Sequence, residues 1–198
     1  MDSRYYGPLR QSPLKAGSTY YMSEPAATTP VTLKSPAIEV MTDLRRVGAV
    51  TVKADTPINT AEQSMKLHGV RSLIVVDERR GVLGVITATD ILGEKPLALT
   101  FERGFRRHEI TVQQIMTPSE RLDVIEMDSV LLASVGNVLE TLKQSARQHA
   151  LVVDRAEDGR HMIRGIFSTS QIARQLGITL HTDAVRHTFA EIEKAIGP

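Results

Sequence analysis

The chain has 198 residues, of which 24 are Lys or Arg, 23 are Asp or Glu, 41% are hydrophobic and none is Cys. A net charge of +1 gives no global field toward nucleic acid or an anionic membrane, and without Cys there are no disulfides or thiolate metal sites, which fits a reducing cytoplasm. No apolar run approaches the ~18–20 residues of a transmembrane helix, and the N-terminus lacks the apolar stretch of a signal peptide.

Residues 1–37 hold five of the nine prolines and all four tyrosines, Tyr5, Tyr6, Tyr20 and Tyr21. No period of 2 or 3.6 runs through them, so they read as an extended or disordered arm. Either the arm is solvated, or its paired tyrosines pack on the globular part or on a partner.

The first module, residues 38–95, reads strand, helix, strand, strand, helix. Residues 50–52 form a short strand. Asp55 or Thr56 caps a helix opened by Pro57, with Ile58, Ala61 and Met65 on one face and Gly69 at its end. Residues 73–76 and 82–87 are buried strands joined by a charged turn. Thr89 or Asp90 starts a short helix closed by Gly93. A connector over 96–112 follows, where Glu94-Lys95-Pro96 breaks structure and Arg103, Arg106, Arg107 and His108 form either a solvated linker or a phosphate-facing cluster.

The second module, residues 113–180, repeats the order. Residues 123–125 are its first strand. Asp128 or Ser129 caps a longer helix with the stripe Leu131, Val135, Val138 and Leu142. Gly136 inside that helix costs about 1 kcal/mol against Ala unless something packs closely there. Residues 151–153 and 162–167 are strands, and Ser168 or Ser170 opens a helix ending near Gly177. In residues 181–198 Thr182 caps an amphipathic helix over 183–196. Its stripe is Val185, Phe189, Ile192 and Ile196, which must cover something.

The two modules are related by a repeat. Gly84-Val85-Ile86-Thr87-Ala88-Thr89-Asp90 returns 81 positions later as Gly165-Ile166-Phe167-Ser168-Thr169-Ser170-Gln171. Residues 73–77 correspond to 150–154, and Met41-Thr42 to Met116-Thr117. The second copy carries four extra residues between Asp154 and Gly165, in a polar stretch where a surface loop tolerates insertion.

These residues resemble a tandem pair of CBS domains, or Bateman module, over residues 38–180. The family motif is Gly, two apolar residues, Thr or Ser, two variable residues and Asp. The first copy matches fully, and the second has Gln171 in place of the acid. The resemblance implies an α+β fold of two β-α-β-β-α modules packed about a pseudo-twofold axis, here with an N-terminal arm and a C-terminal helix. It also implies a non-catalytic sensor of an adenosine ligand, either AMP, ADP, ATP or S-adenosylmethionine.

The residues supply a physical basis for that implication. Thr87 ends a strand where a helix begins, so its hydroxyl and the helix N–H groups face one space suited to a phosphate. Asp90 lies one turn on, and its carboxylate can accept both hydroxyls of a ribose. Val47 and Val50 are candidate walls for the base. At the second site Ser168 serves the phosphate, Gln171 stands in the acid's place with a single acceptor oxygen, and Leu122 and Val124 are the walls. That site is either a weaker binder or an empty pocket. The competing role for Thr87 and Asp90 is capping, which is compatible with binding.

No GxxxxGK[ST], GxGxxG, HExxH or GxSxG occurs, so the usual nucleotide-hydrolysis, dinucleotide, zinc-protease and esterase signatures are absent. His149, before a core strand, is expected to pack or hydrogen-bond. Asp123, Glu126 and Asp128 form either an acidic strand edge or a magnesium site on a bound polyphosphate; no metal is assigned. The expectation is a cytoplasmic homodimer with no nucleic-acid or membrane partner. Either the Leu131 stripe or the Phe189 stripe forms its interface. The chain leaves no room for a regulated domain, so its partner acts in trans. The alternatives are a structural oligomeriser with empty clefts and a small nucleotide-processing enzyme.

Overall fold

The computed structural model describes residues 30–156, 159–179 and 185–196, the side chains of 185–187 excepted. Tyr5, Tyr6, Tyr20, Tyr21, Thr182 and Asp183 lie outside these. The fold is α+β, with two four-stranded sheets. In module 1, β2 (Thr51–Lys53) runs parallel to β3 (Ser72–Val76), and β3 is antiparallel to β4 (Val82–Thr87). In module 2, β6 (Val124–Glu126) runs parallel to β7 (His149–Arg155), and β7 is antiparallel to β8 (His161–Ser168). A register irregularity falls at Val75/Val76 and again at Val152/Val153. The four extra residues lengthen the second hairpin by two residues per strand.

Each sheet is completed by a strand from the other half of the sequence. The short strand β1 (Thr42–Asp43) pairs with β8, and β5 (Thr117–Pro118) pairs with β4. This exchange explains both the Met-Thr repeat and the motif glycines. A Cβ on Gly84 would collide with the Thr117 and Pro118 backbone, and one on Gly165 with the Met41 side chain and the Thr42 carbonyl. The glycine is there because another backbone crosses over it.

The sequence boundaries of 38–95 and 113–180 are therefore interleaved in space. Ala37, Val40 and Met41 are buried in the core of module 2, whereas Ile110, Val112 and Ile115 are buried in that of module 1. The arm is also shorter than residues 1–37: Val31 and Leu33 pack against module 2, and Pro36 bridges to Ser134.

Helix α1 (Ile58–His68) buries Ile58, Ala61 and Met65 and ends at Gly69 in the left-handed region. Its N-cap is Pro57, so neither Asp55 nor Thr56 caps it. The next helix, α2 (Ala88–Leu92), is capped by Thr87 rather than by Thr89 or Asp90. Glu94-Lys95-Pro96 starts α3 (Glu94–Arg103) instead of breaking the chain. Proline is tolerated there because first-turn N–H groups have no helical partner. Arg107 is fastened to Asn59, Glu62 and the Ile91 carbonyl, which leaves it committed to the fold rather than to a phosphate.

The short helix α4 (Val112–Ile115) precedes β5. In module 2 the expected long helix is two: α5 (Met127–Leu132) and α6 (Val135–Gln144). Ser134 breaks it by capping α6, its hydroxyl accepting from Asn137 N–H. Val135, Val138 and Leu142 are buried as expected, but Leu131 lies on the other side of the break and is exposed. Leu33 O accepts from Gly136 N–H at 2.9 Å, and a Cβ on Gly136 would sit only 3.3 Å from that oxygen. This is the close packing that justifies the glycine. Helix α7 (Thr169–Gln175) follows β8, and α8 (Val185–Ile196) then lies on its own module, with Phe189 and Ile192 in the core and Lys143 paired to Glu193. Phe189 and Ile192 are thus covered inside the chain rather than exposed as a dimer face, and the Val185 side chain lies outside the described residues.

Candidate functional site

A cleft of about 190 Å3 lies where the two modules meet. Its apolar walls include Ile74 and Val85 from module 1 and Leu122, Leu151 and Ile166 from the sequence of module 2. Its polar edge carries Thr87, Thr89, Asp90, Asp123, Arg147, Gln148 and His149. Thr89 Oγ1 and Gln148 Oε1, 3.3 Å apart, link the two sides.

The predicted residues sort unequally. Thr87 and Asp90 meet in this cleft. Leu122, expected beside Ser168, lines the Thr87 side instead, because the interleaved sheets bring that segment against the opposite module. Val47 is exposed and Val50 packs into the core of module 1, so neither lines the cleft. Val124 is at the surface end of β6 and does not line it either. Ser168 and Gln171 lie outside it: Ser168 Oγ is 3.1 Å from Ser170 Oγ, and Gln171 Oε1 accepts from Thr42 Oγ1 at 2.9 Å.

Asp90 is heavily committed. Its Oδ2 accepts from Thr87 N–H at 2.9 Å and from Thr87 Oγ1–H at 2.7 Å, while Asp90 N–H donates back to Thr87 Oγ1. This is a capping box. Its Oδ1 accepts from Lys95 Nζ at 2.6 Å. The side chain is only 12% exposed. Two of the N–H groups expected to face a phosphate are also taken: Ala88 N–H donates to Arg71 O and Asp90 N–H to Thr87 Oγ1. Arg147 stands at the cleft edge, where its Nη2 donates to Arg121 O and lies 3.6 Å from Asp123.

His149 is expected from the sequence to pack or hydrogen-bond before a core strand, and the structure puts it at the start of β7, on the cleft wall. Its desolvation, reinforced by Arg71 and opposed by Asp90, lowers the imidazole to about 4, so the ring is neutral at pH 7. The pairing register holds the missed signal. Ser72 stands opposite Thr87, and His149 opposite Ser168, so the residue facing each motif hydroxyl is the one before the strand's apolar run. Asp123 and Glu126 are engaged with Arg147 and Arg155, and among the described residues no three His, Cys, Asp or Glu side chains converge as a metal site.

Comparison with known proteins agrees with this architecture. The CBS domain family model matches residues 37–96. A structure of a conserved protein from Pyrococcus horikoshii is 26% identical, with a TM-score of 0.53, over 77% of this chain and 99% of that one. A CBS domain protein of Thermoplasma acidophilum has the same fold, with 17% identity and a TM-score of 0.50 over 77% of each chain. A curated relative from Methanopyrus kandleri is 30% identical over 77 residues, which is 38% of this chain and only 39% of that protein's length. Residues 37–96 match a CBS domain, and the two modules together have the fold of a CBS pair.

Proposed function

We propose that the protein is a non-catalytic regulatory module that takes one adenosine ligand, AMP, ADP, ATP or S-adenosylmethionine, in the cleft between its modules and acts on a partner in trans. The observation that carries this reading is the placing of a largely buried carboxylate, Asp90, beside apolar walls drawn from both modules. A flat base fits between Ile74, Leu122 and Leu151, ribose hydroxyls donate to Asp90, and Arg147 with Thr87 serves an anionic group. A ligand so held touches both modules at once, which is what a conformational sensor requires. The Ser168/Gln171 side, its amide spent on Thr42, is the weaker or empty site. The absence of Cys from the whole chain suits a cytoplasmic setting.

The assembly reading is a homodimer through α3. In module 2 α8 buries Phe189 and Ile192, whereas α3 leaves Leu97 57% and Phe101 85% exposed. Two copies of this face close on each other as a twofold pair.

Titration with the four ligands tests the sensor. Binding by the wild type, with Asp90→Ala weakened about 10- to 150-fold as loss of charge-assisted hydrogen bonds requires, supports it. No binding leaves the structural oligomeriser, and turnover of the bound nucleotide revives the enzyme.

A further inference from the structure

Lys95 joins two places that the sequence keeps apart. Its ammonium donates to Asp90 Oδ1 at 2.6 Å and to the Ile115 carbonyl at 2.8 Å. Ile115 ends α4, two residues before Thr117, and Thr117 both pairs with β4 and lines the cleft. The acid at the end of the motif is therefore wired through Lys95 to the strand that crosses between modules. Module 2 has the corresponding wire in a shorter form, where Gln171 takes the Thr42 hydroxyl directly from crossing strand β1. The repeat offset of 81 that carries Asp90 onto Gln171 carries Lys95 onto Leu176. The acid and the base are present together in one copy and absent together in the other.

Counting acceptor sites shows what a ligand must do. A carboxylate offers about four lone-pair sites, and Asp90 already fills three of them, two with Thr87 and one with Lys95. A ribose that donates two hydroxyls needs one of those bonds to break. The Thr87 bonds close a helix cap, whereas the Lys95 side chain is 49% exposed and can return to water.

We infer that Lys95 is a latch residue that competes with the ligand for Asp90, so that occupancy of the cleft releases Lys95 and with it its tie to the Ile115 carbonyl and crossing strand β5. This rests on the sensor reading above and adds the route by which occupancy leaves the site. Release loosens the start of α3 and the segment 112–118 together.

The test combines titration with hydrogen exchange on the full chain, using whichever of AMP, ADP, ATP and S-adenosylmethionine binds the wild type. Wild-type amides in 112–118 should exchange faster when ligand is bound. Lys95→Met should bind the same ligand about two- to fivefold more tightly, the range of a partly exposed ion pair. Its 112–118 amides should exchange fast with or without ligand. Lys95→Gln serves if Lys95→Met does not fold. Weaker or unchanged binding by the variant, or a ligand response in 112–118 equal to that of the wild type, overturns the latch and leaves the sensor standing. A wild type that binds none of the four ligands overturns both.

Discussion

In module 2 the second helix after the motif, α8, lays Phe189 and Ile192 into the core, at 7% and 2% exposure. In module 1 the helix in that place, α3, buries Pro96 but leaves Leu97 and Phe101 57% and 85% exposed. The same contrast runs through the motif. Asp90 faces the cleft and is shared with Lys95, while Gln171 is turned to a structural bond with Thr42. Duplication gave two copies of one fold. The two copies differ in where the motif's last side chain is spent and in how far the second helix after the motif is buried.

The sharpest way to break this contrast is to truncate the two phenylalanines. Phe189→Ala empties a packed core position and should cost about 3–5 kcal/mol, read as a fall in the denaturation midpoint. Phe101→Ala should leave folding stability within about 0.5 kcal/mol, as for other exposed positions. If α3 is the dimer face, Phe101→Asp should halve the mass by light scattering while the melting temperature of the monomer holds. Equal stability costs at 101 and 189 would erase the difference between the helices, and a monomeric wild type would remove the dimer.

The crossing strands give a smaller and more exacting test. A methyl on Gly84 meets backbone atoms of Thr117 and Pro118, which move only if β5 shifts. On Gly165 the closest atoms belong to the flexible Met41 side chain, although the Thr42 carbonyl also crowds it. Overpacking costs about 1–3 kcal/mol, so Gly84→Ala should fall near the top of that range and Gly165→Ala near the bottom. Urea denaturation of the two variants measures the gap. A larger loss at Gly165 would show that β1, not β5, is the less yielding strand.

Much of this fold was legible in the sequence because it depends on local pattern. The apolar runs of β3, β4, β7 and β8, the face of α1 and the left-handed Gly69 all follow from residue order. So did Thr87 and Asp90, since a motif at a strand-to-helix junction fixes both neighbours. The walls were not legible. Val47 and Val50 are near Thr87's module in sequence, but strand exchange brings Leu122 to that cleft instead, and exchange is a long-range fact with no local mark. The Met-Thr offset of 75 residues, which carries Val47 onto Leu122, was the one trace of it. The break at Ser134 was hidden because Leu131 and Val135 keep helical spacing across it. The helical start at Lys95-Pro96 was hidden because proline reads as a breaker unless it falls in a first turn.

The last test uses the residue facing each motif hydroxyl, Ser72 in module 1 and His149 in module 2. Only His149 titrates, and its desolvation lowers it from 6.5 to about 4. The unfolded chain therefore binds a proton that the folded chain refuses between those values. Stability must rise with pH across that window, be fully present above about 6.5, and be lost as pH falls toward 4. The effect should be smaller than either packing change, because the ring is partly open to the cleft and water screens it. His149→Ser, which installs the residue of module 1, should flatten this part of the pH–stability curve without shifting the alkaline side. An adenosine ligand with a phosphate near the ring would favour the imidazolium and bring its pKa back toward 6.5, so a bound anion should shrink the acid limb of the wild-type curve and leave the shape of that of His149→Ser unchanged. Identical acid limbs in the two proteins would mean that the imidazole is as solvated folded as unfolded, and the cleft would lose its one desolvated base.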